Sequence, residues 1–245
     1  MRFTNKHGLP QAIYKAVTSD PYSKGEADFS ITELLQPARV RELQRRHHNE
    51  LEEDIGDRIW ALYGQAMHAI LEQSHDGIGD AEIRLFADVS GVRVSGQLDR
   101  FSNGTITDFK FVTLRKFRGG RCPEEYEKQL NCYAALARLN GRQVEKLEII
   151  ALLRDWHKAE WWAAQRENRY YPKTHFLTLC VPLWSEEKAL RYLEGRVEAH
   201  KGARGSLPKC LIADRWFNRQ GVPLRCEAYC NVSKFCSQYQ EEKKS

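Results

Sequence analysis

Apolar and polar positions change period along the chain, and each period marks an element. Between residues 57 and 73 (DRIWALYGQAMHAILEQ), Ile59, Leu62, Ala66, Ala69, Ile70 and Leu71 recur at helical spacing and predict an amphipathic helix. Gly64 interrupts it, and a glycine inside a helix usually marks the close approach of a neighbouring backbone. After the polar HDGIGD come two runs, AEIRLFADV and VRVSGQLDRF, hinged at Ser90-Gly91. They alternate with the period of two that suits a half-buried strand. A third run, GTITDFKFVTL, follows the turn Ser102-Asn103-Gly104 and completes a β-meander. A helix over about 124–139, a buried strand LEIIALL, a late strand FLTLCVP and a helix capped at Ser185 follow. Strands and helices alternating in this way predict an α/β fold with a mixed sheet.

The ends read differently. Residues 1–29 are polar and rich in turn formers, which predicts a loosely packed arm. Ser30 or Thr32 can cap a helix that starts at ITELL and continues through ARVRELQRRHHNELEED. Arg39, Arg41, Arg45, Arg46, His47 and His48 would give it a basic face, and glutamates at i,i+4 favour a solvated helix. From about Lys201 the periodicity fades, and cysteine, arginine and aromatics dominate, as in a knot held by something other than a core. The expected divisions are an arm over 1–29, a core over 30–200 and a tail over 201–245.

Composition narrows the class. The 245 residues are 42% hydrophobic and 29% charged, which suits a folded chain and excludes wholesale disorder. No apolar run approaches the roughly 18 residues needed to span a bilayer, and MRFTNKHGLPQ has no signal-peptide core. A cytoplasmic chain with no membrane partner is therefore expected. The net charge of +5 permits an anionic partner without demanding one. No GxxxxGK[ST] is present, so any ATP-driven translocation must come from elsewhere. Seven cysteines, four of them (Cys210, Cys226, Cys230, Cys236) in the last 36 residues, point to a soft-metal site in a reducing compartment. Cys122, Cys132 and Cys180 read as loop or core thiols.

The meander carries the candidate chemistry. Asp99 closes one strand and Asp108 lies inside the next, so an antiparallel hairpin can bring both carboxylates to one cation. Lys110 shares the face of Asp108, because side chains alternate with period two. Two hard oxygen ligands beside an ammonium suit metal-assisted phosphodiester hydrolysis by Mg²⁺ or Mn²⁺. Apolar Ile106, Phe109 and Phe111 imply that the strand is partly buried, where a paired acid and base needs a reason. Just beyond, Arg115, Lys116, Arg118 and Arg121 predict a mobile cationic loop for a phosphate backbone. Trp156, Trp161, Trp162, Tyr170 and Tyr171, interleaved with Arg154, Lys158, Arg166 and Arg169, fit either base stacking or a packed insertion.

His68 in GQAMHAILE, Asp99 in SGQLDRF, Asp108-Phe109-Lys110 in ITDFKF, and Gln129 with Tyr133 in KQLNCYAAL stand in a definite order. Each alone has a plain structural explanation; their order and spacing together resemble the RecB-type branch of the PD-(D/E)XK nuclease superfamily. ITELLQPARVRELQRRH resembles the lead-in helix of small phage-encoded members. The resemblance covers about residues 30–140 and part of the tail. It implies a restriction-endonuclease-like core, a mixed central sheet flanked by helices, with a Cys-rich C-terminal appendage. It also implies a Mg²⁺- or Mn²⁺-dependent DNA nuclease, an exonuclease rather than an endonuclease, in phage or bacterial recombination, repair or processing. By family position Asp99, Asp108, His68 and the Phe109 carbonyl are metal ligands, with Glu82 a weaker candidate. Lys110 is the catalytic lysine, and Gln129 and Tyr133 flank the site. The family commonly has Thr where this chain has Phe111.

The spacing C-x3-C-x5-C resembles the tail of iron–sulfur RecB-like nucleases such as the AddB and CRISPR-associated exonuclease groups. There a distant N-terminal cysteine is the fourth ligand. This chain has none before Cys122, so Cys210 is the natural substitute, for a [4Fe-4S] cluster or alternatively Zn²⁺. Implied partners are single-stranded DNA or DNA ends, a helicase, recombinase or single-strand-binding protein, and further copies in an oligomer. A phage-encoded chain would work in the host cytoplasm. Rival readings are a non-catalytic nucleic-acid-binding module and a subunit of a recombination or spacer-acquisition complex.

Overall fold

A computed structural model describes residues 1–19, 23–74 and 77–243, apart from the side chains of 118 and 119. In chain order the strands are β1 (Arg2–Thr4), β2 (Phe29–Ser30), β3 (Glu52–Asp54), β4 (Asp80–Val89), β5 (Val92–Ser102), β6 (Thr105–Val112), β7 (Lys146–Leu153) and β8 (Phe176–Val181). The helices are α1 (Gln11–Thr18), α2 (Ile31–Leu35), α3 (Ala38–Arg46), α4 (Ile59–Gln73), α5 (Glu124–Leu139), α6 (Lys158–Arg166), α7 (Glu186–Ala203), α8 (Ile212–Arg215) and α9 (Ser237–Glu242). They divide into two compact units: residues 24–31 with 60–193, and residues 1–23 with 32–59 and 194–245. These boundaries differ from the arm, core and tail expected above, because α3 and the N-terminal residues group with the cysteine-rich segment.

The first unit is a mixed α/β sheet. β5 pairs antiparallel with β4 along one edge, and its other edge is shared by β2, at Val94 and Ser95, and β6, at Arg100–Ser102. β6 pairs parallel with β7, and β7 antiparallel with β8. β7 buries every second side chain, Leu147, Ile149, Ala151 and Leu153, as a central strand should. α5 packs on β4, β5 and β6, and every residue from Leu130 to Ala137 is buried. Gly96 permits that approach. A Cβ at this position would lie 2.9 Å from Ile31 Cδ1 and 3.0 Å from both Leu136 Cδ2 and Tyr133 Cδ1. Ser185 accepts from the Lys188 N–H at 3.3 Å, the cap expected of it.

In the second unit β1 and β3 pair in parallel, so residues 1–29 include ordered elements rather than a loose lead-in throughout. The single lead-in helix is in fact two, α2 and α3, broken at Gln36-Pro37, because proline disfavours the helical conformation in the residue before it. α3 is not solvated either. Arg39, Val40, Glu42 and Leu43 are buried, and Val40 and Leu43 join Leu51, Val232 and Cys236 in an apolar cluster. The cysteine-rich segment thus has a small core, against expectation. Arg196 Nε donates to the Leu34 carbonyl at 2.7 Å, and His200 Nε2 lies 3.1 Å from the Leu34 and Gln36 carbonyls, which serves the open C-terminal end of α2. Among the described residues, no helix is long and apolar enough to cross a membrane.

Candidate active site

The register of the meander assembles the site. Ala81 faces Arg100 and Ile83 faces Leu98, which sets Glu82 opposite Asp99 on one face of the sheet. Glu82 adopts φ +49°, a left-handed conformation that a non-glycine residue holds in mid-strand only at a cost. The β5–β6 ladder runs from Ser102↔Thr105 to Arg100↔Thr107 and stops there. At the next position the Asp99 carboxylate takes over, accepting the Phe109 N–H at 2.7 Å through Oδ2. The Phe109 N–H thus fixes the Asp99 carboxylate.

His68 arrives from α4. Its Nδ1 lies 3.3 Å from Glu82 Oε1 and 3.7 Å from Asp99 Oδ1. Ligand atoms of His68, Glu82 and Asp99 all fall within 4.8 Å of one another. Gln97, two residues before Asp99 on the same face, donates from Nε2 to Glu82 Oε2 at 2.6 Å and itself accepts from Arg84. Burial, then the Asp108 carboxylate, push the Asp99 carboxyl up to about 7, and the bond to Glu82 raises His68.

Asp108 lies outside this group of three. It is 2% exposed, and Lys110 Nζ donates to its Oδ1 at 2.9 Å and lies 2.7 Å from Oδ2. That second oxygen is buried and accepts no well-formed hydrogen bond. Lys110 Nζ also lies 5.2 Å from the centroid of the Tyr126 ring. Gln129 Nε2 donates to Tyr133 Oη at 3.0 Å, one turn apart on α5. Glu82, the weakest of the sequence candidates, is thus central to the cluster. Gln97 and Tyr126 were not singled out, although Gln97 stands inside SGQLDRF, where period two already aligns it with Asp99.

The basic segment is a 3₁₀ turn, Leu114–Gly120, rather than a free loop. Phe117 is fully buried and anchors it, 6.1 Å from the Tyr126 ring. Arg115, Lys116 and Arg121 are exposed, and Lys116 Nζ pairs with Glu125 Oε1 at 2.5 Å. The Arg118 side chain lies outside the described residues. The later aromatics divide: Trp156 Nε1 donates to the Pro172 carbonyl at 2.9 Å and Tyr171 Oη accepts the His157 N–H at 3.0 Å, while Trp162 and Tyr170 are exposed.

No family model and no curated protein matches the chain. Its fold is similar to that of SSO0001, at 16% identity over 93% of this chain and 94% of that one, with a TM-score of 0.56. A protein from Eubacterium rectale whose name assigns it to the exonucleases matches at 15% identity, 69% and 66% coverage and a TM-score of 0.35. LHK-Exo, in complex with dAMP, matches at 12%, 72% and 91%, and 0.36. The likeness to SSO0001 is one of fold, a central mixed sheet with flanking helices.

A second cluster lies in the other unit. Cys210, Cys226, Cys230 and Cys236 line one pocket with Arg39, Arg215 and Arg225. Burial, then Cys236, Asp214 and Cys226, push the Cys210 thiol up to about 12, and burial likewise raises Cys230. Arg39 Nε donates to Cys236 Sγ at 3.1 Å. Among the described residues, no three of these sulfurs lie within 4.8 Å of one another. Cys132 is buried in α5, as a core thiol, and Cys180 is exposed.

Proposed function

We propose that the chain is a divalent-metal-dependent deoxyribonuclease of the PD-(D/E)XK type, acting on DNA ends as an exonuclease. The observation that carries this reading is the convergence of His68, Glu82 and Asp99 from a helix and two strands, with ligand atoms within 4.8 Å. Two carboxylates and an imidazole are a donor set that Mg²⁺ tolerates and Mn²⁺ favours. The crowded carboxylates support a dication too, since burial and the neighbouring Asp108 push the Asp99 carboxyl up to about 7 and a buried Asp108 oxygen accepts no well-formed hydrogen bond.

His68, Glu82 and Asp99 would hold the cation, with Asp108 the next candidate. When bound, it would polarise the phosphoryl oxygen and acidify a water. The protein's own side chains do the rest. Gln97 fixes the Glu82 carboxylate, and the Phe109 N–H fixes that of Asp99. Lys110, oriented by Asp108, keeps an ammonium at the strand edge, where it can donate to the attacking water or to a phosphate oxygen. The test is cleavage of end-labelled linear and covalently closed circular DNA with Mg²⁺, Mn²⁺ or a chelator. Linear DNA should be degraded and circles spared, with all activity lost in the chelator. Cutting of circles moves the reading to endonuclease, and tight binding without cleavage favours the binding module.

For the four cysteines we propose a cluster site. Four thiols lining one pocket suit a soft metal, and the C-x3-C-x5-C spacing supports an iron–sulfur cluster, with zinc the alternative. Protein purified without oxygen should carry iron and acid-labile sulfide, lost in Cys230→Ser. Zinc in their place would sink this assignment.

A further inference from the structure

α4 is unlike an ordinary surface helix. Its sequence, IWALYGQAMHAILEQ, is mostly apolar, yet none of its residues is buried. Trp60, Tyr63 and Ile70 are 56%, 51% and 58% exposed. Large aromatics left in water on an apolar helix call for a ligand or partner that covers them.

Trp60, Gly64 and His68 stand at i, i+4 and i+8 and so form a stripe along one side of this helix. His68, at one end, belongs to the ligand cluster. In the middle, a Cβ built on Gly64 would meet nothing within 4 Å among the described residues. The close backbone neighbour expected from sequence is absent, so this glycine weakens the helix relative to alanine without making room for packing. At the other end the Arg154 guanidinium lies 3.7 Å from the centroid of the Trp60 ring. Arg154 is held at its base by its N–H, which donates to the Val112 carbonyl at 3.0 Å. Tyr63 stands 5.6 Å from Trp60 and 6.5 Å from Phe111, the neighbour of Lys110. A π-face backed by a cation, a gap without a side chain and the His68 ligand cluster thus follow one another. At 1.5 Å per residue the stripe is about 12 Å long, room for three or four bases stacked about 3.4 Å apart.

We infer that the Trp60–Gly64–His68 stripe is a binding track for the unpaired terminal nucleotides of a single strand. A base stacks on Trp60, the backbone crosses the open ground at Gly64, and the phosphate arrives at His68. The inference rests on the nuclease reading for the role of the last step, while the stacking itself is independent of cleavage. Paired bases expose no inner π-face, so the track selects single strands and frayed ends.

The test is fluorescence anisotropy of a labelled single-stranded 12-mer and its blunt duplex, with Ca²⁺ replacing Mg²⁺, on folded full-length protein checked by circular dichroism. Trp60→Ala should weaken single-strand binding roughly 5- to 150-fold, and Trp60→Phe should restore most of it. Gly64→Leu should weaken binding as well, while Gly64→Ala should raise the melting temperature without tightening it. Wild-type affinity in both Trp60→Ala and Gly64→Leu would overturn the inference, as would no binding by the wild type or equal losses on the duplex. A wild-type dimer that Trp60→Ala dissolves would assign the stripe to self-association and overturn it too. Binding that depends on Trp60 in a chain that cleaves nothing would keep the track and discard the nuclease reading.

Discussion

Arg39 spends a buried guanidinium on partners that only the folded chain brings to it. Besides the bond to Cys236 Sγ, Nη2 donates to Ser237 Oγ at 2.8 Å and Nη1 to the Pro208 carbonyl at 3.3 Å. Truncation leaves those acceptors unpaired, so Arg39→Ala should cost about 2–4 kcal/mol in urea unfolding of the cysteine-containing unit. Arg39→Lys should recover only part, because an ammonium cannot reproduce the fork. In protein loaded with a cluster, losing an N–H···S bond should also shift the reduction potential, measurable by redox titration. The proposed chemistry turns on Lys110. Lys110→Ala should lower cleavage by about 100-fold or more in single-turnover assays, with metal-dependent binding retained. Lys110 and Asp99 were legible because period two and a hairpin fix their neighbours locally. The role of Arg39 was not, since its sulfur partner lies 197 residues away.

At the level of elements, packing is close where α5 crosses β5. Gly96→Ala must push aside Ile31, Leu136 and Tyr133, and should cost about 1–3 kcal/mol in chemical denaturation, with Gly96→Val costing more. The meander, α5, β7 and β8 all fall where their periodicity put them. The broken helix was within reach of the sequence, since Pro37 sits in the middle of the charged run. α4 was harder. Its apolar spacing was read correctly as helical, but the same spacing says nothing of whether the apolar face finds a neighbour, and here it finds none that buries it.

On the scale of the whole molecule, stability against acid belongs to identifiable carboxylates. Arg45 and Arg46 hold Glu42 down at about 2, and the N–H groups of Lys6 and Gly56 with the Thr4 hydroxyl hold Asp54 there as well. Both folded values lie below the unfolded ones, near 3.9 for Asp and 4.3 for Glu. Their contribution is therefore complete above about pH 5 and is lost as the pH falls toward 2. Thermal melting followed by circular dichroism should show its steepest acid loss in that window, and Glu42→Gln with Asp54→Asn should flatten it while lowering the melting temperature at pH 7. The cysteine-containing unit holds one tryptophan, Trp216, so its fluorescence can report whether reconstitution with iron and sulfide stabilises that unit.

The sequence by itself determined the alternation of strand and helix, the hairpin that faces Asp99 toward Asp108, and the four clustered thiols, because each depends on local period or short spacing. Only the tertiary structure decided that Glu82 joins His68 at Asp99, that α3 is part of the cysteine pocket, and that the glycine in α4 faces open space. Those outcomes depend on which surfaces long-range packing buries, and a pattern along one chain records a face without naming its neighbour.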